Sequence, residues 1–162
     1  MEYHDKESFT VLVKFQVVGT GDATLYSAKV VIWTTTHWTM PSNKAVVYGA
    51  GISYGLYEVI GRPEECWARI GERFVLSDAL AEDVLGRARL DPSMYRRLCD
   101  ITSEDLAKIQ LLHPLHDVEG GAGEWDDIRD FRADDFVTDS EGTVFVHCAP
   151  SHGMEELSLI HI

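Results

Sequence analysis

Phe9-Thr10-Val11-Leu12-Val13-Lys14-Phe15-Gln16-Val17 places Phe9, Val11, Val13, Phe15 and Val17 on alternate positions. A period of two is the pattern of a half-buried strand. Gly19-Thr20-Gly21-Asp22 follows, a turn able to take positive φ. A second strand then runs from about Thr24 to Thr35, with Tyr26, Ala28, Val30 and Ile32 on one face. The two strands are expected to pair as a long hairpin. Val31 and Trp33 fall on the other face, so part of that face is expected to be covered too.

Beyond the hairpin, Pro41-Ser42-Asn43 reads as a turn, and residues 45–60 as a β-rich run broken by Gly49, Gly51 and Gly55. The pattern then changes to helical. Pro63 suits a helix start, and Glu64 and Glu65 suit the positive end of its dipole, with Trp67, Ile70 and Phe74 on one face. Ser77 caps a second helix over 78–89, carrying Leu80, Val84, Leu85 and Ala88. Asp91-Pro92 opens a third, with Tyr95 and Leu98, and Thr102 or Ser103 caps a fourth, with Leu106, Ile109 and Leu112 inward. A last hairpin is read from Phe136-Val137-Thr138 and the run Thr143 to Cys148. The fold class predicted is α+β: a mostly antiparallel sheet, built from the N-terminal hairpin and a later hairpin, packed by three to four short central helices.

An apolar content of 45% supports one folded domain with a real core. No apolar run approaches the ~20 residues of a membrane helix, and the N-terminus lacks the basic and apolar regions of a secretory signal; a cytoplasmic setting is expected. Cys66, Cys99 and Cys148 are too widely spaced for a disulfide framework or a cysteine-rich zinc site. Leu157-Ser158-Leu159-Ile160-His161-Ile162 is what ctgtctcttatacacatc encodes, the end of a transposase-based sequencing adapter of the kind a metagenomic read runs into. Residues 1–156 are therefore expected to form the single domain, truncated at its C-terminus, and 157–162 to be an adapter-encoded tail.

Four constellations could carry chemistry. Val46-Val47-Tyr48-Gly49-Ala50-Gly51-Ile52-Ser53-Tyr54-Gly55 resembles the dinucleotide-binding fingerprint of Rossmann flavin and nicotinamide enzymes, with the third glycine one residue late. That resemblance implies a pyrophosphate against Gly49, Gly51 and Gly55 at the N-terminus of a helix from Ser53. Cys66-Trp67 at a helix start, with a later His147, is similar to papain-like peptidases and transglutaminases, which implies a Cys66 nucleophile with His147 as its base. His113, His116 and His147 could supply three zinc ligands, with His152 or Cys148 nearby in sequence. His37-Trp38-Thr39 has the H-x-T form of two-histidine phosphoesterases, but no second such motif exists.

The fourth constellation is acidic. Residues 117–141 hold ten Asp or Glu against Arg129 and Arg132, and Trp125, Ile128, Phe131 and Phe136 are spaced to anchor the segment. The net charge is −13, which argues against direct nucleic-acid binding, since phosphates need clustered Lys and Arg. Charge carries most weight in this reading. It predicts a non-enzymatic interaction module of the immunity-protein or phage-inhibitor type, binding a basic protein through Trp125, Asp126, Asp127, Asp130, Asp134 and Asp135. No cofactor is required, zinc being the one metal the histidines could hold. The alternatives are a hydrolase using the histidine cluster or the Cys66–His147 pair, and a dinucleotide-binding protein.

Overall fold

The computed structural model describes residues 9–119, 121, 123–135, 137–138 and 142–149. Nine strands make one mixed sheet: β1 (Val11–Gly19), β2 (Lys29–Thr34), β3 (Ala45–Tyr48), β4 (Tyr54–Val59), β5 (Arg73–Ser77), β6 (Tyr95–Ile101), β7 (Gln110–Leu112), β8 (Ile128–Ala133) and β9 (Phe145–Cys148). Their order is β6-β4-β5-β2-β1-β7-β8-β3-β9. β2 and β5 run parallel, as do β3 and β8; the other neighbours are antiparallel. The α-helices among the described residues are short: α1 (Ala81–Arg87) and α2 (Ser103–Ala107).

The N-terminal hairpin forms as its alternation dictates, with Val11 opposite Thr34 and Gln16 opposite Lys29. Phe15, Val17, Val30 and Ile32 face the larger core cluster. Val31 faces a second cluster with Phe74, Leu76, Val84 and Leu85. Both faces of β2 are therefore covered, which is why it reads as an unbroken apolar run.

The helix-packed arrangement is overturned: the architecture is a large mixed sheet with few helices. Phe74, Val75 and Leu76 are each at most 1% exposed, because Val75 faces the larger core cluster and Phe74 and Leu76 the second, so both faces of β5 are buried. A helix there would bury only one stripe. Upstream, the expected helix from Pro63 is a loop pinned from afar, with the Arg62 guanidinium donating to the Cys66 carbonyl and the Cys66 thiol to the Ala88 carbonyl. The Tyr95–Leu98 spacing belongs to β6, an edge strand whose central residues face solvent. Arg96 and Arg97 sit on that edge, where charge discourages pairing with another chain. Helix α1 lies inside the expected second helix. Helix α2 starts where expected: Thr102 Oγ1 accepts from Asp105 N, and Asp105 Oδ2 accepts from Thr102 N. It stops at Ala107, and Leu111 reaches the core from β7 instead.

The sheet curls so that β9, hydrogen-bonded to β3, packs back against β2. Of the expected last hairpin, β9 and Val137-Thr138 are described, while Phe136 and the adapter-like tail lie outside the described residues. This closure brings the end of β2 alongside β9.

Candidate functional site

A cleft of about 330 Å³ opens between the end of β2 and β9. Thr34, Thr35, Thr36, Thr138 and Thr143 line it with hydroxyls, His147 closes one side, and Trp33, Val137, Val144 and Phe145 supply apolar wall. No Lys, Arg, Asp or Glu is among its described lining. The described hydroxyl-rich wall suits an uncharged polar group such as an ester.

The hydroxyls form a chain. Thr36 N donates to Thr34 Oγ1 at 3.0 Å, and the two hydroxyls stand 3.2 Å apart. Thr39 Oγ1 donates to the Thr36 carbonyl at 2.8 Å and lies 3.1 Å from His147 Nε2. A hydroxyl has one hydrogen, and that of Thr39 is already given to Thr36. His147 Nε2 is therefore the donor to Thr39, which leaves the basic lone pair on Nδ1. Thr39 and His147 are 4% and 7% exposed, so packing fixes both. Locally, β2 ends at Thr34 and the chain tightens into a 3₁₀ turn over His37–Ser42, which points Thr39 inward.

The opposite wall is strained. Val144 has φ 66°, a left-handed conformation that a β-branched residue seldom takes. Gly142 has φ 72°, and a Cβ there would stand 3.2 Å from Trp33 Cε3. The 142–144 turn is thus laid directly on the Trp33 indole that lines the cleft.

The residues singled out from sequence are mostly elsewhere. Gly49 and Gly51 lie between β3 and β4, and Gly55 is within β4, so no helix follows them and no helix N-terminus awaits a pyrophosphate. A Cβ at Gly55 would instead meet Arg97 Nε at 2.7 Å and Asp78 Oδ1 at 2.8 Å. Asp78 accepts from both Arg97 Nε and Nη2 at 2.9 Å, and from Ser53 and Tyr57 hydroxyls at 2.6 Å. Hydrogen bonding to Arg97 is the main cause that holds its carboxyl far below the usual range. Cys66 packs at Ala88 on the second cluster, while His147 bonds to Thr39, so the two are not brought together.

Nor do the histidines converge. His113 is fully buried, its Nδ1 accepting from Leu115 N at 3.1 Å and its Nε2 donating to the Met40 carbonyl at 3.0 Å. Burial is the main cause that pushes its pKa down, with Arg129, His116 and Lys44 adding to it against the Met40 bond. His116 bonds to the His113 carbonyl and to Asp117. Among the described residues no group of three or more His, Cys, Asp or Glu is placed to hold a metal ion.

The acidic stretch is built into the sheet. β8 runs between β7 and β3, with Arg129 and Phe131 buried and Asp130 exposed beside Arg132. Trp125 donates to the Pro41 carbonyl at 2.9 Å and stacks on His113. Asp126, Asp127 and Asp135 are exposed, and Asp134 is half-buried. Sequence reasoning misses the threonines at 34–36 and meets Thr39 only in the discarded H-x-T form. Their signal is a run of three hydroxyls closing an apolar strand.

The curled mixed sheet is similar to the crystal structure of GlLeuRS-CP1, with a TM-score of 0.62 at 15% identity, over 82% of this chain and 42% of that one. In sequence the chain is 66% identical over 98% of its length to isoleucine--tRNA ligase of Ruegeria pomeroyi, and 43% identical to that of Rhodopseudomonas palustris. It spans 16% and 15% of those relatives' own length. No protein-family model matches it.

These findings overturn the inhibitor reading. The relatives are enzymes named for tRNA, which contradicts both a basic protein partner for Trp125 and the acidic residues and the exclusion of nucleic acid. Net charge misleads because it is a sum, and cations can cluster locally in an acidic chain. No helix among the described residues is long and apolar enough to cross a membrane.

Proposed function

We propose that this chain is the CP1-type domain of an isoleucine--tRNA ligase, and that its Thr–His cleft hydrolyses wrongly charged tRNA. The observation that carries the reading is the 66% identity to an isoleucine--tRNA ligase over nearly the whole chain. A synthetase that selects isoleucine meets a physical limit. One missing methylene in an apolar pocket is worth only about 1–3 kcal/mol, and isoleucine against valine is a case from which that limit is known. Greater fidelity needs a second site that hydrolyses products small enough to enter it.

The cleft has the features of such a site. Its apolar wall of Val137, Val144 and Phe145 can hold a short branched side chain and limit its size. The hydroxyls of Thr34, Thr35 and Thr36 can donate to the ester carbonyl as it gains charge. His147 borders the same wall, held as the Nε2–H tautomer by Thr39. In the reaction a water oxygen bonds to the ester carbon, and the bond from that carbon to the ribose oxygen breaks. The ribose oxygen takes a proton, and the amino acid leaves as a free acid. The enzyme that carries this domain works in the cytoplasm.

The test is release of valine from valyl-tRNA specific for isoleucine. The chain should accelerate release, and His147→Ala should reduce that acceleration about 10²-fold or more if the imidazole moves a proton. Equal rates for both proteins would remove His147 from the reaction.

A further inference from the structure

We propose that His113 and Trp125 are positioning residues for the Thr–His cleft: their ring N–H groups clamp the 3₁₀ turn over His37–Ser42 by two adjacent carbonyls and so hold Thr39 against His147. The consequence for hydrolysis rests on the proposed function, while the clamp itself rests on geometry. His113 Nε2 lies 3.0 Å from the Met40 carbonyl oxygen, and Trp125 Nε1 donates to the Pro41 carbonyl at 2.9 Å. The two rings are stacked, with 15° between their planes and 6.1 Å between their centroids. Neighbouring carbonyls of one turn are thus each taken by one member of a ring pair. Neither ring is among the cleft's described lining, so both act through the turn.

The turn needs support from outside. A 3₁₀ helix has poor hydrogen-bond geometry and seldom runs beyond a few residues. This one has six, with Pro41, which has no N–H to give, inside it. Its own bonds include Thr39 N to the Thr36 carbonyl at 2.9 Å and Asn43 N to the Met40 carbonyl at 3.0 Å. His113 adds a second donor to Met40, and Trp125 supplies one to Pro41. Thr39 is joined to Met40 by a planar peptide, so a shift of the Met40 carbonyl is felt at Thr39. Thr39 Oγ1 in turn meets His147 Nε2, which borders the cleft. The clamp therefore reaches the imidazole through one residue.

The rings are themselves held in place. His113 Nδ1 accepts from Leu115 N at 3.1 Å, so the hydrogen of the neutral ring is on Nε2, facing Met40. The fully buried Phe15 meets the same ring edge-on at 6.2 Å. Trp125 is half-buried, and an indole there could leave its N–H to water. It gives that N–H to the turn instead. The sheet explains the meeting. His113 directly follows β7, Trp125 stands just before β8, and Leu112 pairs with Ile128. β8 also pairs with β3, whose first residue, Ala45, lies just beyond the turn and opposite Asp130. The ring pair and the turn are thus carried on neighbouring strands of fixed register.

The experiment takes two readouts from the 162-residue chain. Nitrogen-15 NMR of the imidazoles reads the His147 tautomer, and valine release from the valyl-tRNA gives kcat and KM. Trp125→Phe keeps a stacked ring and deletes its N–H. His113→Leu deletes the other donor, and His113→Gln restores one. His147 should be a single Nε2–H tautomer in the parent and in His113→Gln, and a mixture in Trp125→Phe and His113→Leu. In those two, kcat should fall about tenfold with KM within about twofold, as for a reacting group slightly misplaced, and His113→Gln should recover most of the loss. Gly55→Ala, a destabilising change at the Asp78–Arg97 pair, should leave the tautomer and the kcat of the folded protein unchanged. If His113→Leu does not fold, Trp125→Phe decides alone. An unchanged tautomer in Trp125→Phe, the same kcat loss in Gly55→Ala, or a His113→Gln as impaired as His113→Leu would each overturn the clamp. A parent chain that releases no valine removes the hydrolytic reading, and the tautomers still decide the clamp. Valine release that survives with one tautomer throughout keeps hydrolysis and removes the clamp.

Discussion

Thr39 Oγ1 and His147 Nε2 meet at 3.1 Å although 108 residues separate them, and this bond ties the turn after β2 to β9. The contact exists only because the sheet curls. It also sets the imidazole tautomer, since the Thr39 hydrogen is committed to Thr36. Thr39→Val keeps the shape but leaves a buried ring nitrogen and a backbone carbonyl without their partner. Stability should fall by about 1–3 kcal/mol. Thr39→Ser should recover most of it. Urea unfolding of the three proteins checks this, and a Thr39→Val midpoint equal to the parent's would mean that the bond contributes nothing.

His113 gives the chain an acid sensitivity with a definite sign. Burial holds its folded pKa below the ordinary 6.5, while the unfolded chain protonates near that value. Between the two, the unfolded state binds more protons, so its contribution is fully present above about pH 6.5 and is lost as pH falls through the folded pKa. The slope in that window is at most about 1.4 kcal/mol per pH unit for one group. The urea midpoint should be lower at pH 5.5 than at pH 7.5, and an NMR titration should find the His113 imidazole less than half protonated at pH 6.5. A half-protonated ring there would contradict the assignment.

The glycines of the 49–55 run are alike in sequence and unlike in structure. A methyl at Gly55 would drive into Arg97 and Asp78, whose paired bonds hold both side chains in place. Gly55→Ala should cost about 1–3 kcal/mol, the usual range for overpacking. A methyl added at Gly51 would meet nothing within 4 Å, and the backbone there has no positive φ. Gly51→Ala should therefore change stability by no more than about 0.5 kcal/mol. Thermal melts of the pair decide it, and similar losses at both positions would sink the argument.

Sequence made the hairpin legible because one face of β1 is buried and the other is not, and alternation reports that directly. It also exposed the Thr102 cap, which is a local motif. It failed where strands are buried on both sides or on neither. Phe74-Val75-Leu76 has no period, since a core cluster covers each face, and Tyr95 to Ile101 shows a false i, i+3 spacing on an exposed edge. The site was harder still. Thr34 to Thr36 and His147 come together only through the β3–β9 pairing and the curl, neither of which leaves a local signature. Charge density drew the reading to Asp126, Asp127 and Asp130 because it is visible in one dimension, whereas Thr39 and His147 lie 108 residues apart along the chain.

Gly142 tests whether the wall of the Thr–His cleft is shaped by the turn that rests on Trp33. Its φ of 72° is one that an L side chain adopts at a cost of about 1–2 kcal/mol. Its Cβ would also press on the Trp33 indole at 3.2 Å. Gly142→Ala should therefore lower stability by at least the conformational cost. Because the indole lines the cleft, the same substitution should also change valine release, through KM more than kcat if only the wall moves. Trp33→Phe removes the six-membered ring that bears Cε3, so in that background the crowding part of the penalty should vanish while the backbone part remains. A double-mutant cycle measured by urea unfolding separates the two. Strict additivity would show that Gly142 acts through its own backbone alone, and that the turn does not set the position of Trp33.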